Sequence, residues 1–307
     1  MKHFLSLSGL TAEQIGRIFD VTAELRERYF ADEDFMPLTG YSVALIFEKA
    51  STRTRISFEV GCYQLGAQPL FIAGGTTQMG RGEPIKDMAR VMSRYVDAVM
   101  IRTFDQAVIE EFAQFGSIPV INGLTDLLHP CQVLADLQTV IDHLGSYEKK
   151  KIAWVGDGNN MANSWLNAAA RLPFDLTLAC PEGYDPDADI LARAQQEAAG
   201  NIVLTRDPVE AVVGADVVTT DVWTSMGMEG QEEQRREVFA PYQVNGELFG
   251  KAKPSAIFLH CLPAHRGEEV TDDVIESEAS KVWHEAENRL HVQKAIMTLL
   301  INPEIME

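Results

Sequence analysis

"VALIFEKASTRTRISFEVGCYQLG", Val43 to Gly66, is the stretch on which the fold turns. It opens on an apolar, partly β-branched run, "VALIFE" at 43–48, that suits a buried strand. A short polar turn follows. Then "ISFEVGCYQLG" at 56–66 has helical spacing and ends on glycine. Strand, turn and helix form the half-unit of a parallel α/β architecture. The pattern continues with strand-like "PLFIAGG" (69–75), "DAVMIRT" (97–103) and "IPVING" (118–123). Helical "IKDMARVMSRY" (85–95) and "DQAVIEEFAQFG" (105–116) lie between them. This βαβαβαβ order predicts a parallel sheet covered on both faces.

A helix is expected from Pro130 to about Leu144, since proline suits a first helical turn. The polar break "GSYEKKK" marks a domain boundary near residue 148. The strand signal then restarts in "KIAWVGD" (151–157), "DLTLACP" (175–181), "NIVLTRD" (201–207), "ADVVTTDV" (215–222) and "AIFLHCLP" (256–263). "EAENRLHVQKAIMTLLI" (285–301) reads as one amphipathic helix. The expected fold class is therefore α/β with two domains, 1–147 and 148–307. Each is a parallel sheet flanked by helices. A helix at about 130–145 joins them, and a C-terminal helix closes the chain.

The 307 residues give room for two cores, and 46% hydrophobic with 23% charged residues is ordinary for a globular protein. Lys and Arg number 26 against 45 Asp and Glu, a net charge of -19. Such a chain repels nucleic acid and anionic membrane surfaces. No apolar stretch approaches the roughly 20 residues that span a bilayer. The start, "MKHFLSLSGLTAEQ", lacks the long apolar region of a secretion signal, so a cytoplasmic location is expected. Cys62, Cys131, Cys180 and Cys261 are scattered, with no CxxC pair, as in a reducing compartment.

In so acidic a chain, Ser51-Thr52-Arg53-Thr54-Arg55 at a strand-to-helix turn is informative. A helix N-terminus exposes unpaired N–H groups and carries partial positive charge, so it attracts anions. Hydroxyls add donors, and arginine adds a fork suited to phosphate oxygens. No GxxxxGK[ST] loop is present, so a nucleotide P-loop is not expected. The plainer alternative is a Ser51 helix cap with surface arginines. Against it, Arg102 ends one neighbouring strand, and His129 precedes the next helix with Gln132 one turn in. "GDGNNM" (156–161) echoes GxGxxG, but Met161 stands at the third glycine, which argues against a dinucleotide site.

Seven motifs then resemble the aspartate/ornithine carbamoyltransferase family, in the family's order: STRTR (51–55), "MIRTF" (100–104), "HPCQVLADLQT" (129–139), "GDGNNMANS" (156–164), "DVWTSMG" (221–227), "HCLPAHRGEEV" (260–270) and "AENRLHVQKA" (286–295). HPCQ, SMG and HCLP favour the ornithine branch. The resemblance implies transfer of the carbamoyl group of carbamoyl phosphate to the δ-amine of L-ornithine, giving L-citrulline and phosphate. It implies that Ser51, Thr52, Arg53 and Thr54 hold the phosphate, while Arg102, His129 and Gln132 surround the carbamoyl group. Cys261 and Leu262 would lie beside the reacting amine and, with Arg289, complete the carbamoyl phosphate set. Asn160, Asp221, Ser225 and Met226 would hold ornithine. Gln78 would reach a neighbouring site in a homotrimer. Arg102, His129 and Cys261 are the implied catalytic residues, with no cofactor and no metal.

The alternatives are a related acceptor such as putrescine or an acylated ornithine, or a catalytically silent homologue. Putrescine would leave Asp221 and the SMG loop little to hold, and the intact STRTR and HPCQ motifs argue against silence. His260, Cys261 and His265 could suggest zinc. Adjacent residues on a strand point to opposite faces, which makes His260 and Cys261 a poor chelating pair. The polar insertion after Asp221 is read as a lid over ornithine that excludes water, with 228–236 as its body.

Overall fold

The computed structural model describes residues 1–74, 82–224, 230 and 232–306. Gln78, Ser225 and Met226 lie outside the described residues, as do residues 228, 229 and 231 of the expected lid. The chain forms two compact units, Met1–Leu134 with Glu287–Glu307, and Ala135–Ala286.

The first unit contains α1 (Ala12–Phe30), β1 (Ser42–Phe47), α2 (Thr52–Gln64), β2 (Gln68–Ala73), α3 (Ile85–Met92), β3 (Ala98–Arg102), α4 (Gln106–Phe115) and β4 (Val120–Leu124). The chain leaves this unit inside α5 (Pro130–Leu144). The sheet order is β2-β1-β3-β4, and every pair is parallel. Residues 43–46 and 98–101 are fully buried, as apolar central strands require. Register places Phe47 beside Arg102, and Arg102 beside Leu124 after a shift at Ile101/Arg102. The carboxyl ends of β1 and β3 thus deliver the STRTR turn and Arg102 to one edge of the sheet.

The second unit contains β5 (Lys151–Val155), α6 (Asn160–Ala169), β6 (Asp175–Ala179), α7 (Ala188–Glu197), β7 (Ile202–Thr205), α8 (Pro208–Val212), β8 (Val217–Thr220), α9 (Glu232–Phe239), α10 (Gly246–Phe249), β9 (Ile257–His260) and α11 (Asp272–Ile275). The chain returns to the first unit within α12 (Val282–Ile301). The five-stranded order is β7-β6-β5-β8-β9, again parallel throughout. Its order reverses direction at β5/β8, the switch point beyond which ligands collect in open α/β sheets. "GDG" and "DVW" follow those two strands. Gly158 is needed for packing there: a Cβ would lie 2.1 Å from the backbone N of Pro186.

Candidate active site

In the first unit, Ser51 caps α2, and its hydroxyl accepts the Thr54 N–H at 3.3 Å. The cap and the anion site are not alternatives, because the same turn does both. Thr54 is fully buried, and its Oγ1 accepts from Arg102 Nη1 at 3.3 Å and Arg289 Nη2 at 2.9 Å. Two buried guanidinium groups therefore converge on the first turn of a helix that has no acidic residue there. Such a concentration of positive charge at a helix N-terminus is suited to an anion. Arg289 reaches this point because α12 lies close against α2. Gly61 makes room: a Cβ there would sit 3.1 Å from Met297 Cε and 3.4 Å from Lys294 Cγ.

Thr52 and Arg53 are exposed on the same turn. Arg55 is turned elsewhere, bonded to Glu59 at 3.0 Å and lying over the Phe71 ring at 3.6 Å. One further residue of helix rotates it off the turn, in keeping with its absence from the implied phosphate set. His129 and Gln132 are buried at the start of α5. Burial, then Arg289 and Arg102, push the His129 imidazole well below its ordinary pKa and hold it neutral. Cys131, between them, gives its thiol to the Asn122 carbonyl at 3.4 Å and is pushed up to about 12 by burial, so it is structural.

In the second unit, Asp221 stands just past β8 and organises its neighbours. Its Oδ1 accepts the Cys261 thiol at 3.0 Å and the Val222 N–H at 2.8 Å; its Oδ2 accepts from Asn159 Nδ2 at 2.9 Å. Asn159, which was not expected from sequence, also caps α6 through the N–H groups of Met161 and Ala162. Asn160 opens that helix beside it. Burial first, then Asp221, raise the Cys261 thiol well above its ordinary pKa. It is a neutral donor rather than a thiolate nucleophile.

The expectation that His260 and Cys261 point apart is overturned. β9 ends at His260, and the chain then bends through Leu262 at a φ of 55°. Strand alternation no longer applies, and donor atoms of Asp221, His260 and Cys261 lie within 4.8 Å of one another. What makes His260 a poor ligand is hydrogen bonding. Its Nδ1 accepts the Leu262 N–H at 2.9 Å, which fixes the Nε2–H tautomer facing Glu269 Oε1 at 3.0 Å. Glu285 accepts the His260 backbone N–H at 2.8 Å. Three buried groups thus fix the position of the Cys261–Leu262 segment.

The insertion after Asp221 is not uniformly solvated. Arg235 is 4% exposed: its Nε donates to the Trp223 carbonyl and its Nη2 to Asp157 Oδ2. Its guanidinium lies over Tyr184 at 4.8 Å and Phe239 at 5.0 Å. In sequence it sits in the charged run "EEQRRE", and nothing local marks it as buried.

A cationic turn for an anion in one α/β unit and a carboxylate-centred set in the other describe a two-substrate group-transfer protein. Residues 2–142 match the carbamoyl-P binding domain of the aspartate/ornithine carbamoyltransferases, and residues 148–300 match their Asp/Orn binding domain. The chain is 60% identical over 300 residues to an ornithine carbamoyltransferase of Geobacter metallireducens, covering 98% of this chain and 99% of that one. It is 58% identical over 301 residues to that of Geobacter sulfurreducens, with coverage of 98% and 99%. The solved ornithine carbamoyltransferase of Pyrococcus furiosus superposes with a TM-score of 0.95 at 48% identity, covering 98% of this chain and 97% of that one. The chain belongs to the aspartate/ornithine carbamoyltransferase family.

Proposed function

We propose that this chain is an enzyme that transfers the carbamoyl group of carbamoyl phosphate to the δ-amine of L-ornithine, releasing L-citrulline and phosphate. The observation that carries the reading is the convergence of Arg102 and Arg289 on Thr54 at the capped start of α2, inside the segment that matches a carbamoyl-P binding domain. In this reading residues 1–147 hold carbamoyl phosphate, on Ser51, Thr52, Arg53 and Thr54, with Gln78, Arg102, His129, Gln132 and Arg289 completing the set. Residues 148–307 hold ornithine through Asn160, Asp221, Ser225 and Met226. Cys261 and Leu262 flank the reacting amine. The proposed transfer needs no metal or cofactor, because the acyl-phosphate (mixed anhydride) linkage already activates the carbonyl.

The chemistry is acyl transfer. Attack by the amine places negative charge on the carbamoyl oxygen, and fixed donors there commonly contribute about 2.7–4 kcal/mol each. Arg102, Thr54 and neutral His129 are the candidate donors. Phosphate leaves toward the helix N-terminus and Arg53. The ornithine amine has an ordinary pKa of about 10.4 and must lose a proton before it attacks. The test is citrulline formation from carbamoyl phosphate with ornithine, putrescine, N-acetylornithine and aspartate in parallel. Turnover with ornithine at least about tenfold above the others supports the reading, since tenfold is only 1.4 kcal/mol of discrimination. Preference for another amine retires the ornithine assignment.

A pH profile follows from His129. Since burial and two arginines hold it neutral, kcat/KM for ornithine is expected to climb with pH between 6 and 9 through the amine alone. No inflection near 6.5 should come from His129. An acid limb near 6.5 that vanishes in His129→Gln would contradict this.

We further propose a homotrimer, with Gln78 serving a neighbouring site. The support is an exposed apolar stripe on α2, Ile56, Val60 and Tyr63, beside edge-strand residues Leu70 and Phe71. Apolar groups at this helical spacing next to an open sheet edge invite another chain. Light scattering is expected to give three times 34.0 kDa, and Ile56→Asp/Tyr63→Asp to fall toward one. An unchanged mass in the variant would move the interface elsewhere. A cytoplasmic place in arginine biosynthesis is inferred as well. It is supported by four cysteines that are all free thiols, and tested by rescue of an arginine auxotroph.

A further inference from the structure

The turn "HRGEEV", residues 265–270, gathers donors that the proposed reaction does not use. Donor atoms of His265, Glu268 and Glu269 lie within 4.8 Å of one another. The backbone holds the turn closed: Gly267 N–H donates to the Val270 carbonyl at 2.8 Å, and Gln243 Nε2 donates to the carbonyls of Gly267 and Glu268 at 2.9 and 2.8 Å.

The carboxylate of Glu269 is only half satisfied by the protein. It is fully buried. Its Oε1 takes both the His265 backbone N–H at 2.6 Å and the His260 ring at 3.0 Å. Its Oε2 is buried and has no hydrogen-bond partner among the described residues. A buried carboxylate oxygen without a donor is costly, on the order of 1–3 kcal/mol or more. A cation would relieve that cost. Glu268 has its Oε1 on Arg236 at 2.6 Å, while its Oε2 faces His265 Nδ1 at 3.6 Å, beyond hydrogen-bond length. His265 is half exposed.

We infer that His265, Glu268 and Glu269 form a binding site for a divalent first-row cation such as Zn²⁺, separate from the Asp221–Cys261 set. One imidazole and two carboxylates are the borderline N/O donor set that zinc accepts, with water completing the shell. Small rotations of His265 and Glu268 bring the donors to bonding distance of about 2.0–2.2 Å. Because Glu269 also fixes His260, and His260 fixes the Leu262 N–H, the cation is bound one carboxylate away from the HCLP segment.

The test is calorimetric titration of the full chain with ZnCl₂, together with His265→Ala and Cys261→Ala. His265→Ala is expected to weaken Zn²⁺ at least about 10- to 100-fold, the cost of losing even an outer-shell partner of a metal ligand, while Cys261→Ala binds as the parent does. Substituting Co²⁺ gives a second readout: an N/O shell shows only weak visible bands, whereas a thiolate shell adds an intense near-ultraviolet sulfur-to-cobalt band. Equal affinity in His265→Ala, loss of binding in Cys261→Ala, or the sulfur band would each overturn the assignment. So would no binding by the parent.

Discussion

Replacing Arg235 by methionine is expected to destabilise the second unit by about 3–5 kcal/mol, the usual cost of stranding one partner of a buried ion pair. Arg235 and Asp157 are both nearly inaccessible. Burial already pushes Asp157 up to about 6, even with the Arg235 guanidinium working against it. Without that cation the carboxylate must either stay charged in an apolar setting or take up a proton. The sign is checkable. Because the folded pKa of Asp157 is raised, the native state holds an extra proton between about 3.8 and 6, and the cost of its charge is full only above about 6. The loss in Arg235→Met should therefore be largest near pH 8 and shrink toward pH 5.

At about 2–4 °C per kcal/mol for a unit of this size, the fall in Tm at pH 8 should exceed about 6 °C. Adding Asp157→Asn to Arg235→Met should restore much of it, since no charge is then stranded. An equal fall at both pH values would assign the effect to lost stacking on Tyr184 and Phe239 instead. The same variant releases the Trp223 carbonyl, so KM for ornithine should rise in whatever fraction remains folded.

Arg235 also marks the limit of what the sequence reveals. Among the described residues, strand and helix periodicity located all nine strands to within a few residues, and α5 runs from Pro130 to Leu144 as its proline suggests. That works because alternation between β-branched runs and 3.6-period helices is a local property. α1 was missed, although its capping box of Thr11 and Gln14 is a local signal that could have found it. Thr54, Arg102, His129 and Asp221 are legible because they sit at strand ends and helix starts, where an α/β fold collects ligands. Asn159, Glu269 and Arg235 are not. Their roles depend on contacts made across the fold, such as Arg235 with a partner 78 residues away. The HCLP segment failed for a related reason: alternation was applied one residue past the point where the strand ends.

Replacing Asp221 by asparagine is expected to lower kcat/KM for ornithine by about 2–5 kcal/mol, or roughly 30- to 4,000-fold, as for removal of one member of a close charge pair. KM for carbamoyl phosphate should change far less, because of the groups proposed for that substrate Cys261 and Leu262 alone lie in this unit. The substitution is nearly isosteric, so the effect is one of charge and hydrogen-bond polarity. Among the described residues, the three contacts to the Asp221 carboxylate are all donors: Cys261 thiol, Val222 N–H and Asn159 Nδ2. An amide offers one acceptor and one donor, so one side must meet donor with donor whichever way it turns. The cationic α-amino group of ornithine also loses its counter-charge.

Cys261→Ala separates the two contributions. If Asp221 acts by orienting the thiol, Cys261→Ala should be as damaging as Asp221→Asn. If it acts by binding the amino acid directly, Cys261→Ala should cost far less and leave KM for ornithine nearly intact. The neutral state of the thiol favours the second outcome, because a thiol that stays protonated can serve the amine only as a weak polar contact. A result in which Asp221→Asn retains full activity on ornithine would remove the amino-acid half of the proposed function and leave only the anion-binding half standing.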